Sequence, residues 1–296
     1  MELAHEIRVV GADDKRGVLP TLIFAHGAGF CRQIWNGVLN ELESCGTNLS
    51  FRAALIDMRS HGQSRDENGE KLFWDQMFMD VRKTIDVIAS CDPSGSGELV
   101  GVGHSLGATT LLFLEAQSPG LFSSLVVAEP IPLDESLKQG AVLDPKLIEL
   151  TRKRKSQWRD LTEAAAYVNR VYRSWDYRAR NGYIQGALRV YRDSVVLRCP
   201  PMMEMTIYQQ NRITSESINF SLLECPITVL QGEKSKTTLS CIMISQMQKV
   251  LPNIQVVVAA GAGHDIPMET PAVFLLPIQS AIERLSAGFR SATSKL

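Results

Sequence analysis

Two residues of this chain have the chemistry of a nucleophile and its base, and both lie in glycine turns. "GVGHSLGA" holds Ser105 between Gly103 and Gly107, a G-x-S-x-G with an apolar run before it and a helical pattern after it. That context predicts a sharp turn that lifts the Ser105 hydroxyl above a sheet. It also places the Leu106 N–H at a helix N-terminus, where an oxyanion could be held. A serine hydroxyl needs a base, and the chain has five histidines. His5 has nothing chemical beside it. His26 and His61 each precede a glycine after an apolar run and read as turn organisers, while the His104 ring should point away from its neighbour's hydroxyl. His264, in "GAGHDIPMETP", is left as the base, and it respects the order nucleophile, acid, histidine. A second oxyanion donor is expected from the first glycine turn, "HGAGF", at the Ala28 N–H with Gly29 as its neighbour.

The acid is the less obvious member. In many hydrolases built on such a serine turn the acid follows the penultimate strand, here "TVLQGEKSKTT", but Ser235 and Lys236 stand a few residues past Gly232 and Glu233 comes too early. Asp265 cannot easily turn back onto the ring beside it. Asp57, after "ALI", precedes the nucleophile and reads as a turn-fixing residue. Glu129 ends the apolar run "LVVAEPIP" directly after the nucleophile helix, and Pro130 and Pro132 stop the strand there. Glu129 is taken as the partner of His264, ahead of Glu233 and of no carboxylate at all.

The elements that must position these residues alternate. The stretches 21–29, 51–64, 98–117, 121–130, 225–233 and 253–265 each carry an apolar run that opens into a polar or glycine turn. Between them lie amphipathic stretches such as 73–90, with Phe73, Met77, Val81, Ile85 and Ile88 on one stripe. Continuous apolar strands alternating with helices predict an α/β fold, a mostly parallel sheet covered on both faces. Residues 132–223 break the alternation with helical patterns rich in Arg, Lys, Tyr and Trp and no clear strand. The expected division is a core of 1–131 and 224–296 with a helical cap of 132–223 over the carboxyl ends of the strands.

A chain of 296 residues, 45% of them hydrophobic, suits one large α/β domain with an insertion. A net charge of −1 argues against nucleic acid or a membrane surface as a whole-molecule partner. The six cysteines form no C-x-x-C pair and read as reduced thiols, and no metal or cofactor is implied. No apolar run is long enough to span a membrane, and the charged start "MELAHEIRVVGADDKRG" lacks a secretory h-region. The chain finishes Ser294-Lys295-Leu296, a signal for the peroxisomal import receptor, so the expected location is the peroxisome. From 138 to 198 there are fourteen Lys/Arg against six Asp/Glu. Solvated helix faces would explain this; an electropositive rim for a polyanionic substrate such as an acyl-CoA is the alternative.

Taken in order, "HGAG", "DMRSHGQS", "GHSLGA" and "GAGHDIPMETP" resemble the recurring blocks of the α/β-hydrolase superfamily. More narrowly the chain is similar to the fungal peroxisomal hydrolases of polyketide and toxin biosynthesis, a group that includes acyl-CoA hydrolases. The resemblance implies a serine hydrolase acting on an acyl thioester or ester. In the mycophenolic acid member of that group the triad acid follows the strand after the nucleophile and is an aspartate. The resemblance therefore implies Glu129 here, with one extra methylene to be absorbed by a backbone or rotamer change.

Overall fold

A computed structural model describes residues 1–11, 19–46, 49–64, 73–91, 98–131, 145–209, 219–235, 238–251 and 254–293. Seven strands form the main sheet: β1 (His5–Val10), β2 (Thr21–Ala25), β3 (Phe51–Ile56), β4 (Leu99–His104), β5 (Ser124–Ala128), β9 (Ile227–Gly232) and β10 (Gln255–Ala259). Their order is β1-β3-β2-β4-β5-β9-β10, with β1 antiparallel to β3 and every other pair parallel. β1 was not expected from the sequence. Its alternation of exposed Ile7 and Val9 with charged neighbours suits an edge strand, not a buried one.

The apolar runs are continuous because the two faces of the sheet support two cores. Ile23, Ala25, Ile56, Leu125 and Val127 face one core, with Met77, Phe78 and Val81 of α2 (Trp74–Ser90) and Leu111 of α3 (Leu106–Gln117). Leu22, Phe24, Leu55, Val102 and Val126 face the other, with Val38 and Leu42 of α1 (Asn36–Ser44) and Ile278 and Ile282 of α10 (Leu275–Thr293). Connecting these, α8 (Thr238–Val250) joins β9 to β10, and the short α9 (Ile266–Glu269) follows β10.

The chain runs from β2 outward to β3, then back past β2 to β4, so the direction of winding reverses between β2 and β4. Ligands of open α/β sheets bind at the carboxyl edge of such a switch point. The turns after β2, β4, β5, β9 and β10 line up along that edge, and they carry Ala28, Ser105, Glu129, Ser235 and His264.

The segment between β5 and β9 contributes α4 (Pro145–Lys153), α5 (Leu161–Val171), α6 (Tyr177–Ala187) and α7 (Pro201–Gln209). It also contains strands that the sequence reading did not expect. β6 (Gln157–Trp158), β7 (Leu188–Tyr191) and β8 (Ser194–Leu197) form a separate antiparallel sheet in the order β6-β8-β7. Among the described residues no helix is long and apolar enough to cross a membrane.

Candidate active site

Ser105 stands between β4 and α3 with φ 51° and ψ −117°, backbone values that side-chain-bearing residues rarely adopt. Its own N–H donates to the Ala128 carbonyl at 2.9 Å, and its carbonyl accepts from Thr109 at 3.0 Å. The flanking glycines are required by close approach. A Cβ on Gly103 would lie 2.6 Å from the Ala108 Cα, and one on Gly107 would overlap the Ala25 carbonyl. Gly107→Ala is therefore expected to lower stability by about 1–3 kcal/mol through overpacking, measurable as a depressed unfolding midpoint.

The turn after β2 lies against this one. A Cβ on Gly27 would meet the Ser105 Cβ at 3.1 Å. In this turn the Gly29 N–H donates to His61 Nε2 at 2.8 Å, whereas the Ala28 N–H has no partner among the described residues. The Leu106 N–H opens α3, where backbone donors lack intrahelical acceptors. These two N–H groups flank the Ser105 turn.

Three buried rings hold the turns, and burial lowers the basicity of each. His26 donates from Nδ1 to the Gly27 carbonyl at 2.7 Å, and its Nε2 accepts from the Met58 N–H at 3.0 Å. His61 donates from Nδ1 to the Arg59 carbonyl at 2.8 Å while accepting from Gly29. Burial pushes both toward the neutral form, His26 well below its ordinary range. His104 donates from Nε2 to the His264 carbonyl at 2.9 Å, and burial, with the His264 charge nearby, pushes it down to about 3. Asp57, fully buried, accepts from the backbone N–H groups of Arg32 at 2.8 Å and Gln63 at 2.9 Å and pairs with the Arg32 guanidinium. It ties the β2 turn to the β3 turn and does not reach His264.

Glu129 does. It leaves β5 at φ 49°, again in the left-handed region, immediately before Pro130. From there its fully buried side chain crosses to the β9 turn: Oε1 accepts from the Gly232 N–H at 2.8 Å and Oε2 from the Ser235 hydroxyl at 2.6 Å. Oε2 also lies 3.2 Å from His264 Nδ1. An ionised carboxylate only accepts, so Nδ1 carries the proton of that bond and Nε2 is left with its lone pair. The methylene that distinguishes Glu from Asp thus delivers the carboxylate to the turn where the sequence lacks an aspartate. Glu233 is elsewhere: exposed, it accepts from the Gly261 N–H at 2.7 Å and braces the β10 turn.

The His264 side chain is 32% exposed. Burial disfavours its charged form, but the hydrogen bond to Glu129 and the charges of Asp265, Glu129 and Glu269 outweigh that, so its pKa is raised. Asp265 instead accepts from Trp175 Nε1 at 3.2 Å, and burial raises its carboxyl. Trp175 stacks on Tyr172 with ring centres 4.0 Å apart, and Trp175 and Tyr183 both meet Phe30 of the β2 turn edge-on. Elsewhere in this segment Tyr167 packs on Trp158, and Tyr191 is exposed.

Much of the basic excess between β5 and β9 is neutralised locally. Arg152 and Lys153 pair with Glu149, Arg154 with buried Glu204, Lys155 with Glu163, Arg159 with Asp160, and Arg178 with Asp176 and Glu41. Arg170, Arg173, Arg189 and Arg192 have no carboxylate partner among the described residues. Arg189 and Arg192 both lie over the Tyr191 ring, 5.1 and 5.3 Å from its centre, at the tip of the β7–β8 hairpin. The terminal Ser294-Lys295-Leu296 lies outside the described residues.

Among known proteins, the family described as alpha/beta hydrolase fold matches residues 20–271. The chain is 26% identical over 141 residues to the peroxisomal membrane protein LPX1 of Saccharomyces cerevisiae, covering 44% of this chain and 36% of that one. It is 28% identical over 161 residues to the Type I acyl-CoA thioesterase mpaH of Penicillium brevicompactum, covering 53% and 37%. It is also 28% identical over 110 residues to the abhydrolase domain-containing protein AKT2 of Alternaria alternata, covering 36% and 40%. The match thus spans less than half the length of each of these relatives. The solved structure titled peroxisomal alpha-beta-hydrolase Lpx1 superposes over 100% of this chain and 91% of that one, with TM-score 0.76 at 17% identity, a likeness of fold. With the family match running across most of the chain, and with a strained serine turn at the switch point of a mostly parallel sheet, this protein belongs to the α/β-hydrolase family.

Proposed function

We propose that the protein is a serine hydrolase that cleaves an acyl thioester or ester through Ser105, His264 and Glu129. The observation that carries this reading is the buried Glu129 carboxylate 3.2 Å from His264 Nδ1, on the same sheet edge as the strained Ser105 turn. His264 Nε2 takes the Ser105 proton as Oγ attacks the acyl carbonyl. The N–H groups of Leu106 and Ala28 hold the oxyanion, and the proton passes from His264 to the leaving thiol or alcohol. Water, activated by the same nitrogen, then releases the acid and frees Ser105. Glu129 keeps the proton on Nδ1 and offsets the imidazolium charge throughout.

An acyl-CoA is the substrate class we favour. The mpaH relative is named an acyl-CoA thioesterase, and Arg189 and Arg192 offer unneutralised guanidinium groups to phosphates. Residues 132–223 act in this reading as a cap over the site, with Trp175 and Tyr183 on Phe30 beside the oxyanion turn. The location in this reading is the peroxisome, as the name of the LPX1 relative suggests, and the role, by the resemblance to fungal biosynthetic hydrolases, is in polyketide or toxin metabolism. The competing reading, a carboxylesterase for non-CoA esters, shares the same machinery. A panel of matched acyl-CoA, N-acetylcysteamine thioester and simple ester substrates separates them. Exchange of Arg189 and Arg192 for alanine is expected to raise KM about fivefold for the acyl-CoA alone, as for loss of roughly 1 kcal/mol of exposed ionic contact. Equal KM changes across the panel would favour the carboxylesterase. No turnover of any member by the folded chain would leave a hydrolase-fold binding protein.

A further inference from the structure

The Glu129 carboxylate has three partners, and only His264 belongs to the proposed reaction. Gly232 gives Oε1 a backbone N–H. The Ser235 hydroxyl sits 2.6 Å from Oε2, the same oxygen that faces His264. Because the carboxylate is fully buried, water has no access to replace either donor. An ionised carboxylate only accepts, so the Ser235 hydroxyl must donate, and Oε2 divides its lone pairs between Ser235 and His264.

Ser235 is itself held in place. Its N–H donates to the Gly232 carbonyl at 3.1 Å, closing the turn after β9. That turn is tied to the one carrying His264: Lys234 N–H donates to the Ala262 carbonyl at 2.8 Å, and Glu233 N–H to Ala259 at 3.1 Å. A Cβ on Gly232 would overlap the Gly263 carbonyl, so the two turns are in backbone contact. Backbone contacts thus tie the Ser235 and His264 turns together, and the glutamate between them has one more torsion to be fixed than an aspartate would.

We infer that Ser235 is a positioning residue for the reaction: its hydroxyl fixes the rotation of the Glu129 carboxylate so that Oε2 faces His264 Nδ1. This rests on the Ser105–His264–Glu129 reading. Ser235 occupies the segment after β9 where an aspartate was expected. There it anchors the carboxylate that Glu129 supplies from β5.

The test compares Ser235→Thr, which keeps the hydroxyl, with Ser235→Val, which has the same shape without it, and adds Ser235→Ala. All are assayed on the substrate for which Ser105 dependence has first been established. Loss of one hydrogen bond to a charged group predicts that Val and Ala lower kcat about tenfold or more with KM within twofold, while Thr stays within about threefold of the parent. The Thr/Val pair keeps the test decisive if Ala folds poorly. In a Glu129→Gln background, Ser235→Val should cost less than twofold, because the carboxylate it orients is gone. A kcat for Ser235→Val within twofold of the parent, equal losses for Thr and Val, or the same loss in both backgrounds would overturn the proposal. A chain that needs Ser105 yet is indifferent to the Ser235 hydroxyl overturns this inference alone. A chain that turns over without Ser105 overturns the reading beneath it.

Discussion

Ser105→Ala is expected to lower kcat on acyl-CoA or ester substrates by roughly 10⁴-fold or more, with the fold intact. Among the described residues the other histidines and carboxylates of these turns are engaged: His26 and His61 with backbone partners at both ring nitrogens, His104 with a carbonyl at Nε2, Asp57 with Arg32, Asp265 with Trp175, and Glu233 with Gly261. Alanine tolerates a positive φ no worse than serine, so unfolding midpoints should stay close to the parent's. Residual turnover would come from the Leu106 and Ala28 donors acting on water alone. Retention of more than a tenth of the activity would mean that the nucleophile lies elsewhere.

Glu129→Gln should be the second-largest effect, about 10³-fold or more in kcat. The amide oxygen can replace Oε1 on the Gly232 N–H. The amide nitrogen then faces His264 and donates, which favours the tautomer with the proton on Nε2, the one that cannot accept from Ser105. The pH dependence gives an independent signature. The carboxylate raises the His264 pKa, so activity in the parent should rise with pH through a value above the ordinary 6.5 or so. Removing the carboxylate removes the cause, and the acid limb of kcat/KM should move to lower pH. Glu233→Gln should leave both rate and profile within about twofold, since its carboxylate braces Gly261 and not the ring. Loss with Glu233→Gln but not with Glu129→Gln would show that the acid comes from the β9 turn.

Ser105 and His264 were legible in the sequence because a glycine turn after an apolar strand is a local pattern. Glu129 was reached differently, by the absence of an aspartate after Gly232. Its route was not legible, because it depends on a positive φ before Pro130 and on donors more than a hundred residues away. Ser235 appeared only as a gap in a pattern, and its contact with a glutamate from β5 had no local signature.

The parallel strands were readable because both faces are buried, so their apolar runs are unbroken. β1 was not, since an edge strand with one exposed face mixes Ile7 and Val9 with charge. The hairpin of β7 and β8 was hidden for another reason. Its turn is Arg192-Asp193, with Arg192 at φ 52°, and it carries none of the Asn-Gly or Gly signals by which such turns are recognised. The basic excess of that region promised a rim. Local ion pairs account for many of those cations and leave Arg189 and Arg192 as the pair worth testing.

An activated Ser105 is detected by a fluorophosphonate adduct mapped by peptide mass spectrometry on the folded protein. A single stoichiometric adduct is expected on the peptide containing Gly103-His104-Ser105-Leu106-Gly107, lost in Ser105→Ala and strongly slowed in Glu129→Gln. An adduct on any other residue, or folded protein that takes up no label, would contradict an activated Ser105.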